Sequence, residues 1–188
     1  AQQGCSCFSM VTIKKRGVPM TVSVISRKDA VTTTWSGGTT TEFYLFPRDG
    51  SYKERRFDLR ISSAKVDLEA SDFTLLPDYQ RIITPLEGGF TLTYKETGEK
   101  VTLAPLEEDF FDGAYHTHSI GKAIDFNVMY KKGMLAAYSV INASKKFGLA
   151  DFRFLYVPFI DAKDLTGSTL NEHSLTRDTL YVSDDRSD

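Results

Sequence analysis

From Met20 onward, apolar and polar residues mostly alternate one by one, which is typical of strands with one face against a core. The stretches FDLRIS, residues 57–62, and GFTLTYK, residues 89–95, show this alternation. The stretch FRFLYVPFI, residues 152–160, is almost continuously apolar, as expected of a strand buried on both faces, and TLYVS, residues 179–183, closes the chain. The pattern predicts an all-β protein.

Turn signals separate these predicted strands. Thr97-Gly98 joins two of them as a hairpin, and Pro47-Arg48-Asp49-Gly50 marks another turn. Only the stretch LAAYSVINA, residues 135–143, is ambiguous between strand and helix. Many short strands with no helical pattern between them favour a closed β-barrel or jelly roll, in which the sheet edges curl onto one another.

The N-terminal segment, residues 1–19, carries no clear strand pattern. We therefore interpret it as an extension, either disordered or derived from cloning, and assign residues 20–188 to one folded domain. The two cysteines of the chain, Cys5 and Cys7, lie in this segment. They are too close together for an easy disulfide and too few for a zinc site.

The composition is that of a soluble globular protein, with 41% hydrophobic and 26% charged residues among 188. A formal net charge of −2 gives no reason to expect a nucleic-acid partner, and the basic run at residues 14–16 fits a solvated segment. No apolar run approaches the ~18 residues that span a bilayer, and no targeting segment is evident. We expect a cytoplasmic protein with no membrane partner.

Two of the three histidines, His116 and His118, are one residue apart in FDGAYHTHSIGKAIDFN. Along an extended strand they would lie on the same side, so both imidazoles could reach one metal ion. Two histidines without a third nitrogen, sulfur or carboxylate ligand nevertheless make a poor site for zinc or iron.

The run from Pro85 to His118 resembles the centre of a cupin, with a strand ending in Leu-Glu-Gly, a hairpin, a strand and a tight turn leading towards histidine. Metal-binding cupins carry His-x-His, three or four residues, Glu, six residues and Gly. With Gly88 as that glycine, the Glu position falls on Arg81. A guanidinium is always charged and accepts no bond, so it would repel a cation.

The two histidine positions of the same cupin motif fall on Leu75 and Pro77, or on Thr74 and Leu76 with the longer spacing. None of these side chains can replace an imidazole. His116 does occupy the position of the second-motif histidine, but it would be a lone ligand. We therefore predict no bound metal and no cofactor, and leave open whether His116 is a polar rim residue or hydrogen-bonds a ligand.

Three further segments resemble the HutD/Ves family of cupins: FDLRISSAKV (57–66), FTLLPDYQRIITPLEGGFTL (73–92) and DFNVMYKKG (125–133). The resemblance covers residues 35–133 well and the remainder in outline. It implies a cupin-type β-barrel with strands of a partial second cupin-like half at the C-terminus.

The chain departs from that family in WSGGTTTEF, which is shorter than usual between Trp35 and Glu42. Thr41 stands where the family has an arginine. An anion that needed that guanidinium would bind more weakly.

Two arginines are the main candidates for binding a ligand, because the guanidinium fork matches a carboxylate in bidentate fashion. Arg60 lies on a predicted strand, and Arg81 replaces the metal ligand of the cupin motif. Two such residues near one cavity would suit a small dicarboxylate. The alternatives are an outward-facing Arg60 and an Arg81 held in a structural ion pair by Asp125 or Glu42.

The remaining candidates would shape the site. Trp35 lies beside two glycines, where it could cover a ligand or belong to the core. Asp125 and Asn127 should face the same side of their strand. There they could orient a ligand, hold an arginine or support the fold. The predicted ligand-binding residues are Arg60, Arg81, Trp35, Glu42, Asp125, Asn127 and His116.

No nucleophile with an evident base, no phosphate-binding glycine loop and no catalytic acid pair emerges from the sequence, which favours a binding module over an enzyme without deciding the question. The family resemblance implies a role in histidine utilisation, with binding of an intermediate such as N-formylglutamate or urocanate that restrains the pathway. Our first hypothesis is a metal-free cupin that binds a small carboxylate metabolite and acts as a regulator or sensor in histidine utilisation, with a homodimer left open. The second is a cupin enzyme, an isomerase or hydrolase, with His116 as acid or base.

Overall fold

The computed structural model describes residues 8–13, 21–141, 152–158, 169–170 and 173–184. Every regular element in these ranges is a β-strand. The described residues contain no helix that is long and apolar enough to cross a membrane. The strands are β1 Phe8–Ile13, β2 Thr21–Ser26, β3 Val31–Trp35, β4 Gly38–Phe46, β5 Leu59–Val66, β6 Ala70–Asp72, β7 Tyr79–Gly88, β8 Phe90–Tyr94, β9 Lys100–Leu103, β10 Asp109–Asp112, β11 Thr117–Ile120, β12 Ala123–Lys131, β13 Ala137–Ile141, β14 Phe152–Val157, β15 Thr169–Leu170, β16 His173–Ser174 and β17 Thr179–Asp184.

The chain divides into two compact units, one formed by residues 1–29 with 135–188 and the other by residues 30–134. The first unit contains a five-stranded sheet in the order β13-β1-β14-β17-β2. Its central strand β14 is buried along all six residues, as the continuous apolar pattern predicts. The ambiguous stretch after residue 135 contributes β13, and the closing strand β17 pairs with β14 and β2.

One expectation fails in this unit. Residues 8–13, within the segment that we interpreted as lacking strands, form β1, which pairs antiparallel with β13 on one side and β14 on the other. The sequence FSMVTI mixes apolar and hydroxyl residues without clean alternation, so its pairing partners, not its own pattern, define it as a strand. The domain boundary at residue 19 stays a prediction, which a chain beginning at Met20 would test.

The second unit contains a six-stranded sheet in the order β10-β7-β12-β5-β4-β3 and a four-stranded sheet in the order β6-β11-β8-β9. The long strands β7 and β12 pair over most of their length, and β5 flanks β12 on its other side. Both sheets contribute to one hydrophobic cluster, formed by Ile83, Phe90, Leu92, Tyr94, Leu103, Phe111 and Ala123.

The predicted turns of this unit are present. Gly98 adopts a φ of 71° between β8 and β9, a left-handed conformation that favours glycine, and the two strands pair as the predicted hairpin. The amide of Gly50 donates to the carbonyl oxygen of Pro47 over 2.9 Å and closes the other turn. The stacked rings of Phe57 and Tyr79, with centroids 4.2 Å apart, then pack the chain after that turn against β7.

Candidate functional site

A cavity of about 420 Å³ lies against one face of the six-stranded sheet in the second unit. Alternate residues of β3, β5 and β12 reach it, which is the period-two geometry of a β-strand. The residues that line it are Thr33, Trp35, Thr40, Tyr52, Arg60, Ser62, Ala64, Val66, Ser71, Asp72, Phe73, Thr74, Arg81, Asp125, Asn127 and Met129.

Three neighbouring strands place the two arginines on one row of the sheet. Met129 on β12 is in register with Arg60 on β5 and with Arg81 on β7. Adjacent strands are ~4.8 Å apart, so the two arginine Cα atoms are separated by about 10 Å, and two long side chains can reach the space between them. Sheet register therefore brings together two residues that are far apart in the chain.

Arg60 is buried, with 6% of its surface exposed. Its Nε donates to Oε2 of Glu42 over 2.7 Å, and its Nη1 donates to Oγ of Ser62 over 3.3 Å. The guanidinium carbon also lies 4.0 Å from the centroid of the Tyr52 ring. The outward-facing alternative for Arg60 is wrong, because both faces of this part of β5 are buried.

Arg81 is equally buried but has no such partner. None of the ion pairs among the described residues includes it, and its Nε has no hydrogen-bond partner there. The guanidinium carbon lies 4.7 Å from the ring centroid of Phe73 and 5.0 Å from that of Phe111. Burial lowers the pKa of Arg81 to about 10, so the group stays charged at neutral pH. The ion pair with Asp125 or Glu42 considered from the sequence is not formed.

Asp125 and Asn127 both line the cavity, as their spacing predicts, while Phe126 between them is buried in the core. The Oδ1 atoms of both polar residues are buried without a hydrogen-bond partner among the described residues. Burial raises the pKa of Asp125 to about 7, and the opposing influence of Arg81, the Ala64 backbone and Arg60 is smaller.

Trp35 lies at the end of β3 on the cavity wall, with 39% of its surface exposed, so it is not a core residue. A Cβ atom on Gly37 would come within 2.0 Å of the indole Cζ3 and 2.8 Å of a methyl group of Leu68. Glycine at this position therefore makes room for the indole ring beside the cavity.

His116 is not among the residues that line the cavity. Its side chain is 58% exposed, and its Nδ1 lies 2.5 Å from Oε1 of Glu96. His118 contacts a different carboxylate, with Nδ1 2.9 Å from Oδ1 of Asp72. No group of three metal-ligating side chains forms among residues within the described ranges. The two histidines thus make separate contacts instead of converging on one point.

Sequence reasoning missed the aromatic residues of the site, Tyr52 and Phe73, which lie against the two guanidinium groups. Tyr52 lies between β4 and β5, and Phe73 directly follows β6, so the alternation within a strand does not predict where either side chain points. The turn before Tyr52 was a usable signal, because it folds the chain back towards β5.

The model of the HutD family matches residues 27–182 of this chain. The structure of HutD from Pseudomonas fluorescens SBW25 is 24% identical, with a TM-score of 0.71, and the match covers 89% of this chain and 90% of that chain. A conserved protein of unknown function from Pseudomonas aeruginosa PAO1 is 23% identical, with a TM-score of 0.71 and coverage of 88% and 87%. No curated protein sequence matches this chain.

These comparisons confirm the all-β, HutD-like fold that the motifs predict. The strands beyond residue 133, which the family resemblance assigns to a second half, are included in the match. Because the family model spans most of the sequence, the chain belongs to the HutD family.

Proposed function

We propose that this protein binds a small carboxylate metabolite in the cavity of its second unit and acts as a metal-free regulator of histidine utilisation. The observation that carries the proposal is the state of Arg81, which is buried and charged, with no hydrogen bond to its Nε and no carboxylate in direct contact among the described residues. A buried charge without a partner is costly, so a site that holds one is suited to a ligand of opposite charge.

The chemistry of the cavity suits a carboxylate. The Nε of Arg81 is unpartnered, and a guanidinium that offers Nε together with an Nη atom matches the two oxygens of a carboxylate. The rings of Phe73 and Phe111 lie next to the guanidinium carbon, in contacts that do not use its N–H groups.

The size of the cavity fits a metabolite. A volume of about 420 Å³ is at the lower end of ligand sites, and Trp35, Val66 and Met129 supply apolar wall. The family name supports histidine utilisation as the setting, and N-formylglutamate and urocanate are the acids of first choice. The HutD structure from P. fluorescens was determined in a formate condition, so formate is the smallest carboxylate to include.

The enzyme alternative depended on His116 as acid or base. Its imidazole is exposed, contacts Glu96 and does not line the cavity, so this geometry gives it no access to a bound acid. Following N-formylglutamate and urocanate by NMR in the presence of the protein separates the hypotheses, because chemical conversion of either acid would favour the enzyme.

A thermal-shift screen of these acids is the direct test of binding. An acid at ~100 times its dissociation constant should add ~2.7 kcal/mol of stability. For a hit, calorimetry should show that Arg81→Gln weakens binding by about 10- to 150-fold, the value of a charge-assisted hydrogen bond of ~1.5–3 kcal/mol. Arg60→Gln should also weaken binding, and Glu96→Gln, an exposed change, serves as control. Equal affinity in Arg81→Gln and the native protein would contradict the proposal.

The regulatory part needs a cellular test. Cells in which Arg81→Gln replaces the native protein should change their induction of histidine-degrading enzymes on histidine, and cells with Glu96→Gln should not. Identical induction in both strains, with ligand binding lost in vitro, would leave a binding protein without a regulatory role.

A further inference from the structure

We propose that the cavity accepts one carboxylate group per ligand molecule and that this group enters together with a proton, which resides on Asp125. The inference rests on the proposed function and concerns the protonation state and the ligand class of the same site. It follows from a count of the charges that the cavity holds.

The buried wall of the cavity carries two positive groups, Arg60 and Arg81. One of them is already neutralised, because Glu42 lies 2.7 Å from the Nε of Arg60. If Asp125 is ionised, it balances Arg81, and a ligand carboxylate would bring the site to one net negative charge. If Asp125 is protonated, the site has one positive charge, and a single carboxylate makes it neutral.

The groups around Asp125 support this count. Arg81 on β7 and Arg60 on β5 are the charged groups that act on its carboxyl, and the backbone of Ala64 stabilises the ionised form. On the same side, β3 and β4 line the cavity with Thr33, Trp35 and Thr40, which are uncharged, and the carboxylate of Glu42 on β4 is paired with Arg60.

A further charged group that lines the cavity is Asp72, whose carboxylate is exposed and interacts with His118 and Lys95. Asp72, His118 and Lys95 are not among the groups that act on the carboxyl of Asp125. Among the described residues they therefore add no positive charge that would keep both Asp125 and a ligand carboxylate ionised.

Two carboxylates in one buried site cannot both ionise at ordinary pH unless enough positive charge faces them. Burial already raises the pKa of Asp125 to about 7. A ligand carboxylate beside Arg81 removes the main influence that lowers this pKa and adds a like charge, so the pKa in the complex lies higher. At pH 8 the empty site is mostly ionised and the filled site is protonated, and binding takes up a proton.

The same count limits the ligand. A dicarboxylate with both groups inside would leave a net negative charge even with Asp125 protonated. The ligand class is therefore a monocarboxylate, or a dicarboxylate that turns its second group to solvent. The protonated Asp125 can then donate to a ligand oxygen, and the unpartnered Oδ1 of Asn127 can accept from a ligand N–H.

Calorimetry with N-formylglutamate and formate tests the proton, since neither probe titrates between about pH 6 and pH 9. Titrations at pH 8 in two buffers of different ionisation enthalpy should show uptake of about one proton per ligand. In a series of titrations above pH ~7, the affinity should fall by up to about tenfold per pH unit. Asp125→Asn should bind without proton uptake and with a flat pH profile.

Histidines titrate in the same range, so the control is a variant with both His116→Gln and His118→Gln, which should keep the proton uptake of the native protein. Loss of the uptake in this control would overturn the assignment to Asp125. Circular dichroism checks the fold of Asp125→Asn, and the native protein alone decides the main point, because binding without proton uptake would overturn the inference.

The ligand class has its own test with the two monoamides of N-formylglutamate. At least one should bind within about tenfold of the parent acid, because only one carboxylate enters. A loss above hundredfold for both monoamides would overturn the single-carboxylate inference. Failure of formate and N-formylglutamate to bind at any pH would refute the proposed carboxylate site itself, and the inference with it, whereas binding without proton uptake would refute the inference alone.

Discussion

Two groups of ionisable side chains in the second unit lie in opposite surroundings, one at the surface and one in the cavity. His116, just before β11, and His118 on β11 each contact a carboxylate at the surface, Glu96 and Asp72 respectively. On β5, β7 and β12, Arg60, Arg81 and Asp125 are buried in one cavity. From the sequence, the histidines were considered as a metal site and set aside, whereas the second group already supplied the main candidates for ligand binding, which the fold brings to one cavity.

Burial changes what a carboxylate does in each group. The hydrogen bond from His116 lowers the pKa of exposed Glu96, and the bond from His118 lowers that of Asp72. In the cavity, desolvation raises the pKa of Asp125 despite two arginines nearby. The comparison shows that neighbours decide the direction of the shift at the surface, whereas desolvation decides it inside.

Replacing the buried carboxyl should have the largest effect. Asp125→Asn removes a group whose pKa is raised from 3.8 to about 7 in the folded protein, so native stability is full below pH ~4 and falls as the pH rises towards 7. The variant should match the native protein at pH 4 and exceed it by up to about 4 kcal/mol at pH 8. Urea unfolding at both pH values measures this. Glu96→Gln should show no such gain, and a less stable Asp125→Asn at pH 8 would show that desolvation does not dominate.

Breaking the ion pair of Arg60 should have the next largest effect. Arg60→Gln leaves Glu42, whose side chain is 25% exposed, without its cation, and should cost about 2–3 kcal/mol. The double variant Arg60→Gln with Glu42→Gln should recover part of that loss in urea unfolding. Simple addition of the two single effects would mean that the pair is not coupled.

The aromatic support of Arg60 should have a smaller effect. Tyr52→Leu removes a ring whose centroid lies 4.0 Å from the guanidinium carbon, which should cost about 1 kcal/mol. Tyr52→Phe keeps the ring and should behave like the native protein in the same unfolding experiment. Equal losses in both variants would assign the effect to the hydroxyl group.

Changes at the histidines should have the smallest effect. His116→Gln and His118→Gln alter exposed contacts and should leave the melting temperature and the affinity for a carboxylate unchanged. We also expect elemental analysis of the purified protein to find no stoichiometric transition metal. One tightly held metal per chain that is lost in His116→Ala would restore the histidines as the functional pair.

The sequence by itself determined the β-class of the chain, its main turns and its family, because alternation, turn residues and motif spacing are local properties. FRFLYVPFI identified a buried strand, and counting back from Leu-Glu-Gly singled out Arg81, which does line the cavity. Alternation along β12 also put Asp125 and Asn127 on one side of their strand.

Only the tertiary structure decided which face of each strand is inside and which charges meet. Arg60 and Arg81 share a row because both strands pair with β12 at Met129, and Glu42 pairs with Arg60 and not with Arg81. The strand at residues 8–13 likewise depends on partners more than a hundred residues away. Strand order and register arise from pairing between distant segments. Alternation along a single strand separates its two faces but does not show which face is inside or which strand is its neighbour, so the sequence of one strand does not specify order or register.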